Sequence, residues 1–194
     1  MIALLRETLA ARVTVEGLAF DLGKAEPDLP PEACRDLAGI LRPFITSIPD
    51  ALEWAVRASK DPRCGRAVAF GVGAVLHYLV DDDDLLPEDR FGALGLVDDA
   101  LLVHRFTCAL QEMWSPDVAA GALEPPDSRT VAVVETLLPD GIADALRRTA
   151  DSLVRTAAAL FAAPPDAARV IDLEDAVSPA LRGAAAAELL EPSV

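Results

Sequence analysis

Two closely spaced groups of aspartates are the residues of this sequence whose types and spacing could do chemistry. Asp81–Asp84 form an unbroken run, and Asp98 and Asp99 follow fourteen residues after its end. Residues 81–99 contain eight acidic side chains and a single basic one, Arg90. Carboxylates this close together repel one another unless water, the amides of a helix N-terminus or a bound cation compensates. The function of this region therefore depends on whether water, helix N-terminal amides or a cation compensates these charges.

Three interpretations of the aspartates are open from the sequence. The favoured one is structural: Asp84 precedes Leu-Leu-Pro, where its side chain can accept local backbone amides, and together with Asp99 it fixes a tight helix–loop–helix corner. The second is a cation site, because Mg²⁺ and Ca²⁺ bind several oxygen ligands; its ligands would come from Asp81, Asp84, Asp98 and Asp99. The third is a solvated acidic surface that docks a basic partner.

Helical geometry separates the two aspartates of the second group. At about 100° per residue, Asp98 shares a stripe with Arg105 and Glu112, which predicts a solvated position. Asp99 falls instead in an apolar sector with Val103, Phe106 and Leu110. A carboxylate in such a sector is costly unless it is hydrogen-bonded or paired. We therefore expect Asp99 to be the buried member, with a partner of its own.

Two basic side chains on the preceding helix are candidate partners for these carboxylates. His77 lies eleven residues, about three helical turns, after Arg66, so both residues point to the same side of the helix. Either could reach a carboxylate on the neighbouring helix. The histidines supply no metal site of their own, because neither has a glutamate three residues before it, as di-iron bundles require.

Prolines and aspartates divide the N-terminal half into helical segments. Residues 2–11 form a predicted helix, whereas 12–22 is ambiguous because Arg-Val-Thr-Val-Glu alternates as a strand does. A helix is predicted to begin at Pro30 and Pro31 and to end at Pro43. The next is predicted to be capped by Ser47, with a proline in its first turn.

The remaining segments place the aspartates in a hairpin. Two central helices are predicted at about 63–80 and 92–114, on either side of the acidic run. Residues 127–139 could be a short helix or a strand. Residues 139–163 give the clearest amphipathic helix; its apolar side consists of Ile142, Leu146, Leu153, Ala157 and Leu160. A last helix is predicted at about 179–190.

Composition excludes several classes of function. The net charge is −15 and the isoelectric point is near 4.4, so the basic footprint that nucleic-acid binding requires is absent. The longest apolar run, residues 67–80, is too short to cross a bilayer, and charges near the N-terminus argue against a secretory signal. Three widely spaced cysteines, without metal-ligand spacing, indicate buried thiols in a reducing cytoplasm; they are Cys34, Cys64 and Cys108.

The hairpin resembles the YkvA-like domain, a bacterial family of unknown function, over about residues 66–106. The family pattern is a helix ending in Tyr-Leu, then Pro-x-Asp-Leu-Ile-Pro-Asp, an apolar stretch, Gly-x-Leu-Asp-Asp and a second apolar helix. Its matching positions here are Tyr78, Leu79, Asp84, Leu85, Leu86, Pro87, Glu88, Gly95, Asp98 and Asp99. Asp82 departs from the pattern, because the family usually has proline there. The resemblance implies a helical hairpin and no particular activity.

Together these observations predict an all-α protein, a compact helical bundle built around the helix–acidic loop–helix hairpin. We expect a single domain over 1–194, with the hairpin at 66–106 and a helical extension at 139–190. The predicted function is that of a non-enzymatic, cytoplasmic accessory protein that binds a protein partner, possibly a basic one, and that has no transmembrane span; self-association stays open. No cofactor is expected. The first alternative is an enzyme or sensor that uses Mg²⁺ or Ca²⁺ at Asp84, Asp98 and Asp99, and the second is a peripheral membrane protein that inserts helix 67–80. The other candidate residues are Asp81, Asp82, Asp83, Pro87, Gly95, His77 and Arg66.

Overall fold

The computed structural model describes residues 2–61, 65–79, 86, 88–114, 128–138 and 140–162. Every regular element within these ranges is helical, which confirms the all-α class. A single 3₁₀ turn, Gly92–Gly95, separates α6 from α7. The α-helices are α1 (Ile2–Arg12), α2 (Val15–Ala25), α3 (Pro31–Thr46), α4 (Ile48–Ala58), α5 (Gly65–Tyr78), α6 (Glu88–Phe91), α7 (Leu96–Trp114), α8 (Ser128–Glu135) and α9 (Asp140–Ala162).

Local capping settles the ambiguous segment near the N-terminus in favour of a helix. Thr14 has an extended backbone, and its Oγ1 accepts a hydrogen bond from the amide of Gly17 at 3.0 Å. This bond satisfies one of the amides that a helix N-terminus leaves without an internal partner. Helix α2 then buries Leu18 and Leu22 against α3. The strand-like alternation of residues 12–16 is therefore overridden by a cap and an apolar face.

The junction between α3 and α4 differs from the prediction in two respects. Pro43 does not end α3, which continues to Thr46. Pro43 lies in the last turn and, like Gly39, is exposed, so water can bind the carbonyl group that the proline ring leaves without an amide donor. Ser47 occupies the predicted cap position of α4, but its side chain makes no capping bond there. Its hydroxyl donates instead to the carbonyl oxygen of Phe44, at 2.8 Å.

Helix α7 is the centre of the bundle and contacts α3, α4, α5, α8 and α9. Its apolar side is completely or almost completely buried; the residues are Leu101, Leu102, Val103, Phe106 and Leu110. Helix α5 approaches α7 closely at Gly71, where an added Cβ would lie 2.1 Å from Cζ of Phe106. The glycine therefore leaves room for the phenyl ring.

The remaining helices complete the core. Residues 128–135 are helical rather than extended, with Val131 and Val134 buried. On α9, four of the five residues predicted for its apolar side are buried: Ile142, Leu146, Leu153 and Ala157. The side chain of Leu160 and the predicted helix at 179–190 lie outside the described residues. Cys34 and Cys108 are buried as expected, and Cys64 also lies outside the described ranges.

The apolar helix of the hairpin packs inside the bundle. Half of α5 is buried, including Val68, Val72 and Val75. Insertion of residues 67–80 into a membrane surface would require this helix to be exposed, whereas half of its residues are buried in the bundle. Of the helices in the described part of the chain, none combines the length and apolar character needed to cross a membrane.

Candidate functional site at the Asp98 corner

Asp98 is a fully buried carboxylate in the first turn of α7, with a relative exposure of 0%. Its Oδ2 accepts a hydrogen bond from the hydroxyl of Tyr78 at 2.9 Å. The same oxygen accepts a second bond from the backbone amide of Leu86 at 3.1 Å. Tyr78 ends α5, and Leu86 follows the acidic run. One carboxylate oxygen therefore holds the chain on both sides of Asp81–Asp84.

The burial of Asp98 corrects the prediction that it lies on a solvated face. Asp98, Arg105 and Glu112 do lie on one side of α7, but the solvent exposure of that side changes along the helix. Glu112 is exposed, and Arg105 forms an ion pair with Glu135 of α8 at 3.4 Å. Asp98 lies beneath the end of α5 and the segment that returns from the acidic run. The helical geometry gives the direction of the Asp98 side chain, but it does not show that other segments of the chain cover it.

Asp99 is also inside, at 6% exposure, which confirms the expectation that this residue is buried. It lies one residue further along the first turn of α7, in the sector of Val103, Phe106 and Leu110, all of which are buried. Carboxylates in the first turn of a helix are favoured by the partial positive charge of the helix N-terminus. The position of both aspartates thus offsets part of the cost of burying them.

Gly95 permits the close approach on which the corner depends. An added Cβ would lie 2.6 Å from the carbonyl oxygen of Leu86 and 2.9 Å from Cα of Glu88. Both are backbone atoms, which cannot move aside as the end of a flexible side chain can. The resemblance pattern places glycine here, and the packing gives a physical reason for it. Of the pattern positions, the structure brings together Tyr78, Leu86, Gly95 and Asp98.

Two further contacts anchor the segment between the corner and α7, and the sequence did not indicate either. Oδ2 of Asp21 accepts a hydrogen bond from the amide of Ala93 at 2.8 Å. The contact fits only beside a glycine, since Gly92 has φ of +63° and its added Cβ would meet the Asp21 carboxylate at 2.4 Å. In addition, Arg12 forms an ion pair with Glu88. Helices α1 and α2 therefore hold the far side of this segment.

The other predicted site residues are placed as follows. Arg66 and His77 are both exposed on α5. Among the ion pairs of the described residues, none joins Arg66 to Asp98 or Asp99, and a donor from α5 that does reach Asp98 is the hydroxyl of Tyr78. Five of the predicted residues lie outside the described ranges: Asp81, Asp82, Asp83, Asp84 and Pro87.

A cation site at Asp84, Asp98 and Asp99 stays a prediction. Among the residues that the structure describes, no group of three His, Cys, Asp or Glu side chains is arranged to hold a metal ion, and Asp84 is not one of those residues. What the geometry does establish concerns Asp98 Oδ2. This oxygen already accepts two hydrogen bonds, and a metal ion would have to compete with both donors.

His104 is a second buried polar residue on α7, with 0% exposure. Its Nε2 lies 2.9 Å from the carbonyl oxygen of Phe44 and 3.1 Å from Oγ of Ser47. Because a carbonyl oxygen only accepts, Nε2 carries the proton. Nδ1 makes no hydrogen bond to any described residue. Burial lowers the pKa of His104 to about 4, although the Phe44 carbonyl and Asp50 act in the opposite direction, so this imidazole is neutral near pH 7.

Compared with models of known protein families, with curated proteins and with solved structures, the chain has no significant match. The resemblance to the YkvA-like domain therefore rests on the residues quoted for it. Four of those residues, Tyr78, Leu86, Gly95 and Asp98, form the contacts of the Asp98 corner. In this chain, therefore, the residues of the pattern hold two helices together on either side of the acidic run.

Proposed function

We propose that this protein is a non-enzymatic accessory protein that binds a basic protein partner through its acidic segment, residues 81–91. The observation that carries the proposal is the double hydrogen bond at Asp98. Tyr78 and Leu86 are fixed to one carboxylate oxygen, so the run Asp81–Asp84 is a short connection between two anchored ends. Anchored ends lower the conformational entropy that a binding segment loses when it meets its partner.

The distribution of charge supports a basic partner. Of the eight acidic residues between 81 and 99, Asp98 and Asp99 are taken into the interior. Glu88 is paired with Arg12, and Asp89 is exposed. The segment also belongs to a chain of net charge −15. A concentration of one sign of charge increases the association rate of an oppositely charged partner and disfavours partners of like charge.

A fluorescent oligolysine peptide is a suitable probe, because it supplies positive charge without a fold of its own. Its affinity for the full chain is measured by anisotropy at low and at physiological salt. The test variant replaces each aspartate of the run by asparagine: D81N, D82N, D83N and D84N. At roughly 0.3 kcal/mol or more per exposed charge pair, this variant should bind on the order of tenfold more weakly at low salt.

The control variant removes four exposed acidic side chains elsewhere, so that both variants have the same net charge: E7Q, D28N, D36N and D151N. The proposal expects the control to bind the peptide nearly as well as the native chain. An equal loss in both variants would mean that the peptide senses only the net charge. No loss in the variant of the run would exclude the acidic segment as the docking site.

A further inference from the structure

A cavity of about 500 Å³ lies beside the Asp98 corner, between α2, α3, the α6 segment and the start of α9. Its wall is mainly aliphatic; the residues that define its interior are Leu29, Leu37, Leu41, Leu94, Val97 and Ile142. The volume falls within the range of about 300–1,000 Å³ that is typical of small-molecule sites. A space of this size and lining fits an aliphatic group.

Two cationic side chains line the same cavity. Lys24 and Arg90 are exposed, whereas Leu41 and Val97 are buried at 3% and 1% exposure. The exposed part of the cavity lining therefore includes two cations, whereas its inner wall is apolar. In the described part of the chain, neither cation forms an ion pair. Lys24 lies over the ring of Phe20 at 5.6 Å, and Arg90 lies over the ring of Phe91 at 5.2 Å.

The carboxylates near these cations do not neutralise them directly. Asp21 lines the cavity, but its Oδ2 accepts the amide of Ala93 at 2.8 Å. Glu26 is exposed at the edge of the cavity. Lys24 and Arg90 therefore carry charges that no ion pair with a described residue neutralises, and each lies over an aromatic ring instead. Their position at the open end of an aliphatic space favours an anionic head group there.

We propose that this cavity binds a linear aliphatic carboxylate, the chemical class of medium-chain fatty acids. The tail occupies the space lined by Leu37, Leu41 and Ile142, and the carboxylate lies between Lys24 and Arg90. Burial of the tail supplies most of the affinity, and the two cations select the charge of the head group. The site goes beyond the proposed docking of a protein partner and does not depend on it.

Calorimetric titration of the full chain with octanoate, decanoate and dodecanoate tests the tail. Full burial of two more methylene groups should tighten binding roughly fifteen-fold from octanoate to decanoate, at about 0.8 kcal/mol each. Decylamine, which has a comparable aliphatic tail with a cationic head group, should bind much more weakly than decanoate. An absence of saturable decanoate binding, or equal affinity for decylamine, would overturn the proposal.

Charge variants test the head group without disturbing the interior. The double variant Lys24→Gln/Arg90→Gln should weaken decanoate binding roughly tenfold at low salt. Glu26→Gln, which removes a nearby negative charge, should strengthen it. The matched control Arg35→Gln/Lys60→Gln removes two exposed cations away from the cavity and should leave the affinity unchanged. Equal weakening by both double variants would overturn the assignment of the head-group site.

Leu41→Trp, which fills the cavity, should abolish binding of decanoate, and its circular dichroism spectrum reports whether it folds. Should Leu41→Trp not fold, the charge variants decide the question by themselves, because all of the side chains that they replace are exposed. Gel filtration examines the rival occupant, a second copy of the chain. A dimer that Leu37→Asp dissociates, together with no decanoate binding, would assign the cavity to self-association and overturn the proposal.

Discussion

Replacing Asp98 by alanine should lower the free energy of unfolding by about 4 kcal/mol. The substitution leaves the hydroxyl of Tyr78 and the amide of Leu86 without the oxygen that accepts both of their hydrogen bonds. Asp98 is 0%, Tyr78 2% and Leu86 6% exposed, so water cannot readily replace the carboxylate. A buried donor that loses its partner costs about 1–3 kcal/mol, and here there are two.

Urea unfolding followed by circular dichroism measures this effect. With a slope of about 2 kcal/mol per molar urea, a loss of 4 kcal/mol moves the midpoint down by about 2 M. Tyr78→Phe, which removes only one of the two bonds, should cost about 1–2 kcal/mol. The control is Glu112→Ala on the same stripe of α7, where the side chain is exposed; it should change the stability by no more than about 0.5 kcal/mol.

The double variant Tyr78→Phe/Asp98→Ala distinguishes a shared bond from two separate effects. Because Asp98→Ala already removes the acceptor, the double variant should be less destabilised than the sum of the two single variants, by about 1 kcal/mol or more. Additive energies, or a loss below about 1 kcal/mol in Asp98→Ala, would refute the anchor. Repeating the native titration with millimolar Mg²⁺ or Ca²⁺ examines the cation alternative, since a ligand at a hundred times its dissociation constant adds about 2.7 kcal/mol.

Two other predictions concern a pair of glycines and the buried histidine of α7. Gly95→Ala should destabilise the protein by about 1–3 kcal/mol, because its Cβ meets the backbone of Leu86 at 2.6 Å. Gly39→Ala, in open space on α3, should instead stabilise it by about 0.5–1 kcal/mol, and thermal unfolding of the two variants should show opposite signs. The pKa of His104 is lowered by burial from 6.5 to about 4, so the unfolded chain binds the proton first as pH falls. Stability should therefore be full above about pH 6.5 and should decline towards pH 4, by about 2 kcal/mol between pH 7 and pH 5. Urea unfolding should show that His104→Gln removes this part of the pH dependence and that His77→Gln, at an exposed position, keeps it; equal slopes in both variants would contradict the assignment.

The all-α class and most helix positions could be predicted from the spacing of apolar residues and from the positions of prolines and aspartates. The apolar side of α9 was predicted from spacing alone because one face of a long helix repeats for six turns, and Ile142, Leu146 and Leu153 are buried as expected. The ends were harder to predict. Pro43 lies within the last turn of α3 because the bond that it removes is on an exposed side. The exposure of the carbonyl group decides the outcome there, and exposure depends on tertiary packing.

The site was predicted in part, for a related reason. A helical wheel gives the direction of a side chain, and it placed Asp99 correctly among buried residues. It does not give what covers that direction, so Asp98 was assigned to solvent although α5 and Leu86 lie over it. The bond from Ala93 to Asp21 joins residues 72 positions apart, and a lone aspartate on α2 carries no local signal for such a contact.

The anchors of the corner bear on the role of the acidic run itself. Asp98 binds Tyr78 and Leu86, which flank the run. Asp21 binds the amide of Ala93, and Gly95 allows Leu86 and Glu88 to approach the start of α7. Asp21, Gly95 and Asp98 all lie outside Asp81–Asp84. Adjacent carboxylates repel one another, so four in succession add an electrostatic cost to a connection whose ends are held from elsewhere. A basic partner would relieve the repulsion between four successive carboxylates, and this is the reason for preferring the docking proposal.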